Sequence, residues 1–548
     1  MAAANYDDPF GDYDVPALGQ VGFDLSPSPA DSGPNSIHPP LQVSLEASPY
    51  PYTPILNCNS KFDGLSPWAH IQTASSPSST STPLPPTDLS STYNGLSRQV
   101  PSESKRKSKL LNEAVPNKRP KSAHSQRHSK HTAMNRKTGA CLPCQMRTNK
   151  HVCLPGPDQD GPCQACLKRA QTPSLSPVPC RRARFQDVKL IRLGPSRDFA
   201  TTLRWLKDLK PSSDPQKAEW KKLTNMAVKK SRGTDHGYTE LRLSQGHSEG
   251  TLNLRVQEFD PVESDKTVYQ WIDNGITHVY RCPHFAIADR DHAADQVRQF
   301  IDSNSGEYVD RLLPASSEPR AAFARMAFQT AVNRAQKSSL LEMTIKFWVA
   351  GRLIEKPWSI QGQESLGMRL DTCPASPYSR RIPVTPIMDF QIDNIVIYDY
   401  LEVVLGRIRK AMKQRIMPTK KEDWFDIHLA TFILLHHVDL TMKHDVDFAQ
   451  DHNLHKRFSN RPLIEMITFG ANSLLSFHQQ EKGHFPLSAP KWTDVESSYT
   501  FDETQKNYLL EARRLIQQIQ LPQIPGTELF WTSQVYDRNW QPATVEVC

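Results

Sequence analysis

The sequence predicts a chain in three parts: a disordered amino-terminal arm, a small cysteine-rich module, and a mainly α-helical carboxy-terminal domain. Three observations predict it. Charge divides sharply along the chain: nine acids and one lysine up to residue 97, 20 Lys/Arg against five acids over 98–189, and near balance in the other 359 residues. Of ten cysteines, six fall within 40 residues of one another. From about residue 285 the apolar residues recur at helical period. At 548 residues the chain is too long for one core, and 38% hydrophobic residues with 44 prolines leave part of it unable to bury enough apolar surface to fold.

Several classes fall away at once. The start, MAAANYDDPF, lacks the basic and then apolar stretches of a secretory signal. No apolar run approaches the ~18 residues that cross a bilayer, so no membrane partner is expected. Crowded cysteines in an intracellular chain of this size indicate metal ligation rather than a disulfide scaffold.

Residues 1–97 are Pro/Ser/Thr-rich, and SSPSSTSTPLPPTDLSS cannot build a packed core. One stretch differs: Tyr6, Phe10, Tyr13, Val15, Phe23 and Leu25 alternate with Asp7, Asp8, Asp12, Asp14 and Asp24. Acids keep such side chains solvated and available to a partner's groove, the composition of a segment that contacts the transcription machinery.

Residues 98–140 are a basic, disordered segment. Lys105, Arg106, Lys107 and Lys109 form one cluster, and Lys118, Arg119 and Lys121 form a second about eight residues on. The pair resembles a bipartite nuclear import signal, which implies an import receptor as partner.

The module at 141–184 carries the chemistry. Its cysteines run Cys141-x2-Cys144-x8-Cys153-x9-Cys163-x2-Cys166-x13-Cys180, two C-x2-C pairs each followed by one more cysteine. A C-x2-C turn lets two thiolates reach one zinc at about 2.3 Å, and tetrahedral zinc takes four such donors. Six cysteines fill two tetrahedra only when two sulfurs are shared between the metals. The residues resemble the fungal binuclear zinc cluster (Zn2Cys6) transcription factors, whose pattern is C-x2-C-x6-C, a variable loop, then C-x2-C-x6 to 8-C. That resemblance implies two zinc ions, with Cys141 and Cys163 bridging, Cys144 and Cys153 completing one site and Cys166 and Cys180 the other. Here the third and sixth cysteines stand farther away, after eight and 13 residues. Thr148 occupies the place where the family's base-reading lysine is expected. Two other readings of the same cysteines stay open. Cys141, Cys144, Cys163 and Cys166 alone form a single-zinc spacing. A RING-like cross-brace needs eight ligands, for which only His151 and His124, His128 and His131 stand near.

Six thiolates on two Zn(II) leave a charge of about −2, and the basic residues exceed what balances it. Arg147, Lys150, Lys168, Arg169, Arg181, Arg182 and Arg184 flank the ligands. Double-stranded DNA is the expected partner, held at phosphates by this set and read at base edges by Arg147, Asn149, Lys150 and His151. Short helices are expected to begin near Cys144 and Cys163.

Residues 185–259 read as a linker with short elements: a strand-like DVKLIRL at 187–193, an amphipathic helix at 201–211, and a strand at 251–259 where Leu252, Leu254 and Val256 alternate. Residues 260–548 read as a helical regulatory domain, with helices over 320–355, 391–416, 421–444 and 502–519. His428, His436, His437, Asp439, His444, Asp445 and Asp447 crowd one helix but lack the spacing of a metal hydrolase, and no phosphate-binding loop or nucleophile elbow is present. The chain therefore reads as a nuclear, sequence-specific DNA-binding transcription factor and not an enzyme, with a homodimer possible. A zinc-dependent nucleic-acid scaffold without sequence readout and a helical-domain enzyme are the competing readings.

Overall fold

A computed structural model describes residues 139–145, 153–157, 161–170, 180–182, 184–192, 201–202, 237–273, 276–416, 423–452, 454–479, 500–519, 524–537 and 540–545. All fall in the second of two units, Asp63–Cys548. The acidic arm, both import clusters and most of the 201–211 helix lie outside the described residues.

Two short helices open the described chain, α1 (Leu142–Gln145) and α2 (Gln164–Ala170), followed by a 3-10 turn at Phe185–Asp187. Strands β1 (Thr239–Ser244) and β2 (Leu252–Glu258) pair antiparallel, with Leu241 opposite Leu254 and Leu243 opposite Leu252. Alternation drives this pairing: Leu241, Leu243, Leu252, Leu254 and Val256 are buried while their neighbours face outward. Strands β3 (Val268–Asp273) and β4 (Ile276–Arg281) form a separate two-stranded hairpin. Short strands β5 (Phe285–Ile287), β6 (Ser359–Gln361) and β7 (Ile382–Pro383) complete a five-stranded sheet of order β5-β2-β1-β6-β7. Pro383 sits on its edge strand, where a missing N–H costs nothing.

Helix α3 (Arg290–Leu312) packs on β2 and starts where the Asp289 side chain accepts from the His292 amide at 3.0 Å. The stretch expected as one helix is two, α4 (Pro319–Ala335) and α5 (Ser339–Leu353). Between them the amides of Lys337 and Ser338 turn back to the carbonyls of Arg334 and Ala335. Pro319 opens α4, and Glu318 caps it through the Ala321 amide at 2.7 Å. Helix α6 (Pro386–Asn394) continues through a π-helical segment, Ile395–Leu401, into α7 (Glu402–Ile416).

Helix α8 (Trp424–Asp451) is the axle of the domain: Ile427, Leu429, Phe432, Ile433, Leu434, Leu435, Val438 and Met442 are all buried, so it is apolar on every side. Around it pack α4, α5, α9 (Arg461–Gln479) and α11 (Phe530–Ser533). Helix α10 (Glu503–Gln518) begins with a capping box between Asp502 and Gln505 and lies on α4.

The histidine- and aspartate-rich helix uses its polar groups to hold the core. Asp439 accepts from the Trp531 amide (2.7 Å), the Thr532 amide (3.2 Å) and the Thr532 hydroxyl (2.7 Å), tying the carboxy-terminal turn to α8. Asp445 accepts from the Ser459 and Asn460 amides at the turn into α9. The His436 Nδ1 accepts from the Trp348 indole at 3.1 Å. Among the described residues none of these side chains joins a metal-ligand group, and no helix is long and apolar enough to cross a membrane.

The expected linker is where the fold departs most from expectation. Strands β1 and β2 belong to the same buried core as the helices, and so do Phe185, Val188, Leu190 and Ile191. Burying four such side chains contributes about 1.5–3 kcal/mol each, which no free tether does.

Candidate metal centre and nucleic-acid interface

The sulfur cluster is built from two similar halves. Cys141 heads α1, its carbonyl accepting from the Cys144 and Gln145 amides at 3.0 and 2.9 Å; Cys163 heads α2, its carbonyl accepting from the Leu167 amide at 2.9 Å. The Cys141 amide donates to the Cys153 sulfur at 3.2 Å, and the Cys163 amide donates to the Cys180 sulfur at 3.1 Å. Each half thus folds its third cysteine back onto the amide of its first. The longer spacings before Cys153 and Cys180 do not prevent this.

Two groups of four sulfurs result, Cys141/Cys144/Cys153/Cys163 and Cys141/Cys163/Cys166/Cys180, each with its sulfurs within 4.8 Å of one another and both sharing Cys141 and Cys163. The Sγ–Sγ separations Cys141–Cys163, Cys141–Cys166 and Cys144–Cys163 are all 3.7 Å. A disulfide measures about 2.05 Å. Sulfurs bound at about 2.3 Å to one tetrahedral zinc stand roughly 3.8 Å apart. The donor set and its spacing fit zinc. Cys141, Cys144, Cys153 and Cys163 are buried, while Cys166 and Cys180 are half-buried.

The thiols differ in their electrostatics. Hydrogen bonding with Cys144 and then Cys153 pushes the Cys141 thiol far up, and bonding from Cys141 pulls Cys144 far down. Burial lifts Cys163 to about 11, whereas the hydrogen bond from Cys141 holds Cys180 at about 2. The loop closing the cluster needs Gly156, where a Cβ would lie 2.1 Å from the Pro162 carbonyl oxygen.

The predicted DNA contacts separate into groups. Lys168 is exposed on α2. Arg147, Asn149, Lys150 and His151 lie outside the described residues, as does the Arg169 side chain. Arg182 donates to the Gly139 carbonyl at 2.7 Å, and Arg184 pairs with Asp187 at 3.0 Å. Arg181, expected at phosphate, instead turns toward the helical domain: its guanidinium lies 4.6 Å over the Phe469 ring, donates to the Phe469 carbonyl at 3.5 Å, and is drawn below its usual pKa by burial. Packing against an aromatic face offers the partly dehydrated cation what water no longer supplies.

The segment that follows, expected as a strand over 187–193 within a linker, forms no strand among the described residues, because its backbone bonds to side chains of the helices rather than to another strand. Residues 185–192 form a strap laid across α6, α7, α8 and α9. Phe185 stacks on Phe477 of α9. Arg409 of α7 donates to the carbonyls of Gln186 (2.7 Å) and Val188 (3.2 Å). The Nε2–H of His437 donates to the Leu190 carbonyl at 2.9 Å, leaving Nδ1 to accept from Arg352 at 3.3 Å. Arg192 pairs with Asp393 at 3.2 Å and meets His444 Nε2 at 3.0 Å. Gly470 lets the strap pass: a Cβ there would be 2.2 Å from the Lys189 carbonyl oxygen. Leu142 of α1, bonded through its amide to the Arg181 carbonyl, joins the same core. The only local signal was the apolar trio Val188, Leu190 and Ile191.

A sequence model of the KpeA transcription factor family matches residues 207–520, more than half of the chain. The chain belongs to the KpeA transcription factor family. The KpeA match spans the sheet and the helices through α10, the body on which the strap lies, and begins past the six cysteines. No curated protein and no solved structure matches the chain.

Proposed function

We propose that this KpeA-family protein is a nuclear transcription factor that reads DNA sequence through a binuclear zinc cluster. One observation carries the reading: two four-sulfur groups that share Cys141 and Cys163, at separations suited to tetrahedral zinc. Cys141 and Cys163 bridge the ions, Cys144 and Cys153 complete one, and Cys166 and Cys180 complete the other. Zinc supplies the fold of the head, because a module this short and polar has no core of its own. Lys168 contacts phosphate, which sets position, and Arg147, Asn149, Lys150 and His151 contact base edges, which sets sequence. Lys105–Lys109 and Lys118–Lys121 direct import, and the acidic arm contacts the transcription machinery.

Counting zinc in the full chain by native mass spectrometry tests this. Cys163→Ser is expected to empty both positions, whereas Cys180→Ser keeps one. Equal loss in the two variants refutes the bridging assignment. Selection of the full chain on random duplexes is expected to enrich a motif; uniform recovery favours a scaffold without sequence readout.

A further inference from the structure

We infer that Asp273, His278 and Cys373 form a second kind of metal site, open and suited to zinc, in the body of the protein. Their ligand atoms lie within 4.8 Å of one another, and all three residues are half-buried. The register of the β3–β4 hairpin brings the first two together. Asp273 pairs with Ile276 and Trp271 with His278, so Asp273 and His278 sit diagonally on one face of the hairpin. The His278 imidazole lies nearly parallel to the buried Trp271 ring, 8° between planes and 5.6 Å between centroids, which limits its rotation.

Cys373 arrives from a separate loop that is held firmly against the hairpin. The Tyr280 hydroxyl donates to the Arg369 carbonyl at 2.6 Å, and the rings of Tyr269 and Tyr378 meet at 4.7 Å. Buried Asp371 fixes the loop from within: its side chain accepts from the Cys373 amide at 3.0 Å, while its backbone bonds Arg381 and Arg380 at 3.0 and 2.7 Å. The Cys373 carbonyl closes a turn by accepting from Ser376 at 3.1 Å. None of these bonds uses the thiol, which is left facing the carboxylate and the imidazole.

One carboxylate oxygen, one imidazole nitrogen and one thiolate make a mixed donor set of the kind zinc accepts and magnesium or calcium does not. Three protein donors leave the fourth tetrahedral position to water or to an incoming ligand. Binding releases the Cys373 proton to solvent and clips the hairpin to the loop. Because the site is half-buried and lacks a fourth protein ligand, it exchanges its ion more readily than the six-sulfur cluster does.

The site rests on residues remote from that cluster, so the two readings are tested separately. Native mass spectrometry of the full chain loaded with zinc is the measurement, with circular dichroism to check folding. The wild-type chain is expected to hold one zinc more than Cys373→Ser, and one more than His278→Phe, which keeps a ring against Trp271 but has no nitrogen ligand. Cys163→Ser, which strips the six-sulfur cluster, is expected to keep this ion. A wild-type count equal to that of both Cys373→Ser and His278→Phe overturns the site, whatever the cluster holds.

Discussion

Phe185 and Phe477 lie ring on ring, 3.8 Å between centroids and 26° between planes, joining a residue five positions past the last cysteine of the head to the last turn of α9. Both are almost fully buried, and the ring contact adds to what their area contributes. Phe185→Ala removes the larger part of the strap's apolar anchor. It is expected to cost about 3–5 kcal/mol, seen as a lower urea midpoint for the body. An unchanged midpoint would mean that the strap does not dock.

The head offers a contrast between two cations of the same sign and nearby sequence. Lys168 is exposed, whereas Arg181 is spent on Phe469. Lys168→Ala is expected to weaken DNA binding and to reduce the salt slope by about one. Arg181→Ala is expected to leave that slope in place and to lower stability by about 1–2 kcal/mol, the scale of a partly desolvated cation–ring contact. Fluorescence anisotropy over a salt series, beside a denaturant titration, separates the two. A slope lost in Arg181→Ala would return that residue to the phosphate set.

Acid should act on the body through buried imidazoles. His428 Nδ1 and His478 Nε2 stand 3.3 Å apart, with the Tyr536 hydroxyl 3.3 Å from His428 Nε2. Burial holds both rings below their ordinary pKa, His478 at about 4. The folded form keeps His478 neutral while the unfolded chain takes up a proton below pH ~6.5. Stability is therefore present above that pH, drains as pH falls toward 4, and stops changing below it. Relative to His478→Gln, the wild-type chain is expected to lose up to about 3 kcal/mol across this window. Parallel stability curves for the two chains from pH 7 to 4 would contradict it.

How much of this was legible follows from what is local. The strand expected at 251–259 is β2, Leu252–Glu258, and the helix expected at 502–519 is α10, Glu503–Gln518. In both, a period of two or of 3.6 is written in consecutive residues. The break at Gln336–Ser338 has no glycine or proline to announce it. The strap was read as linker because its partners, Arg409, His437 and Asp393, are more than 200 residues away in sequence. Six cysteines were visible as a set, but which of them belong together came only from the family resemblance, with two other groupings left open. The fate of Arg181 was hidden, since a charge beside a cluster looks alike whether it faces phosphate or Phe469. Asp273, His278 and Cys373 were invisible because hairpin register and a distant loop, not spacing, bring them together.

On the proposed DNA-reading function, the strap also has a geometric consequence for how two copies, were they to pair, would address a duplex. A reading head on a slack tether can reach targets at many separations and in either orientation. Here only a few residues intervene between Cys180 and the first anchored side chain, and Arg192 is pinned by Asp393. Two copies joined through their bodies would thus carry their heads at one fixed distance and bearing. The permitted gap between target repeats would be a ruler cut by body-to-body packing, and base pairs inserted between repeats would be penalised with the period of the double helix.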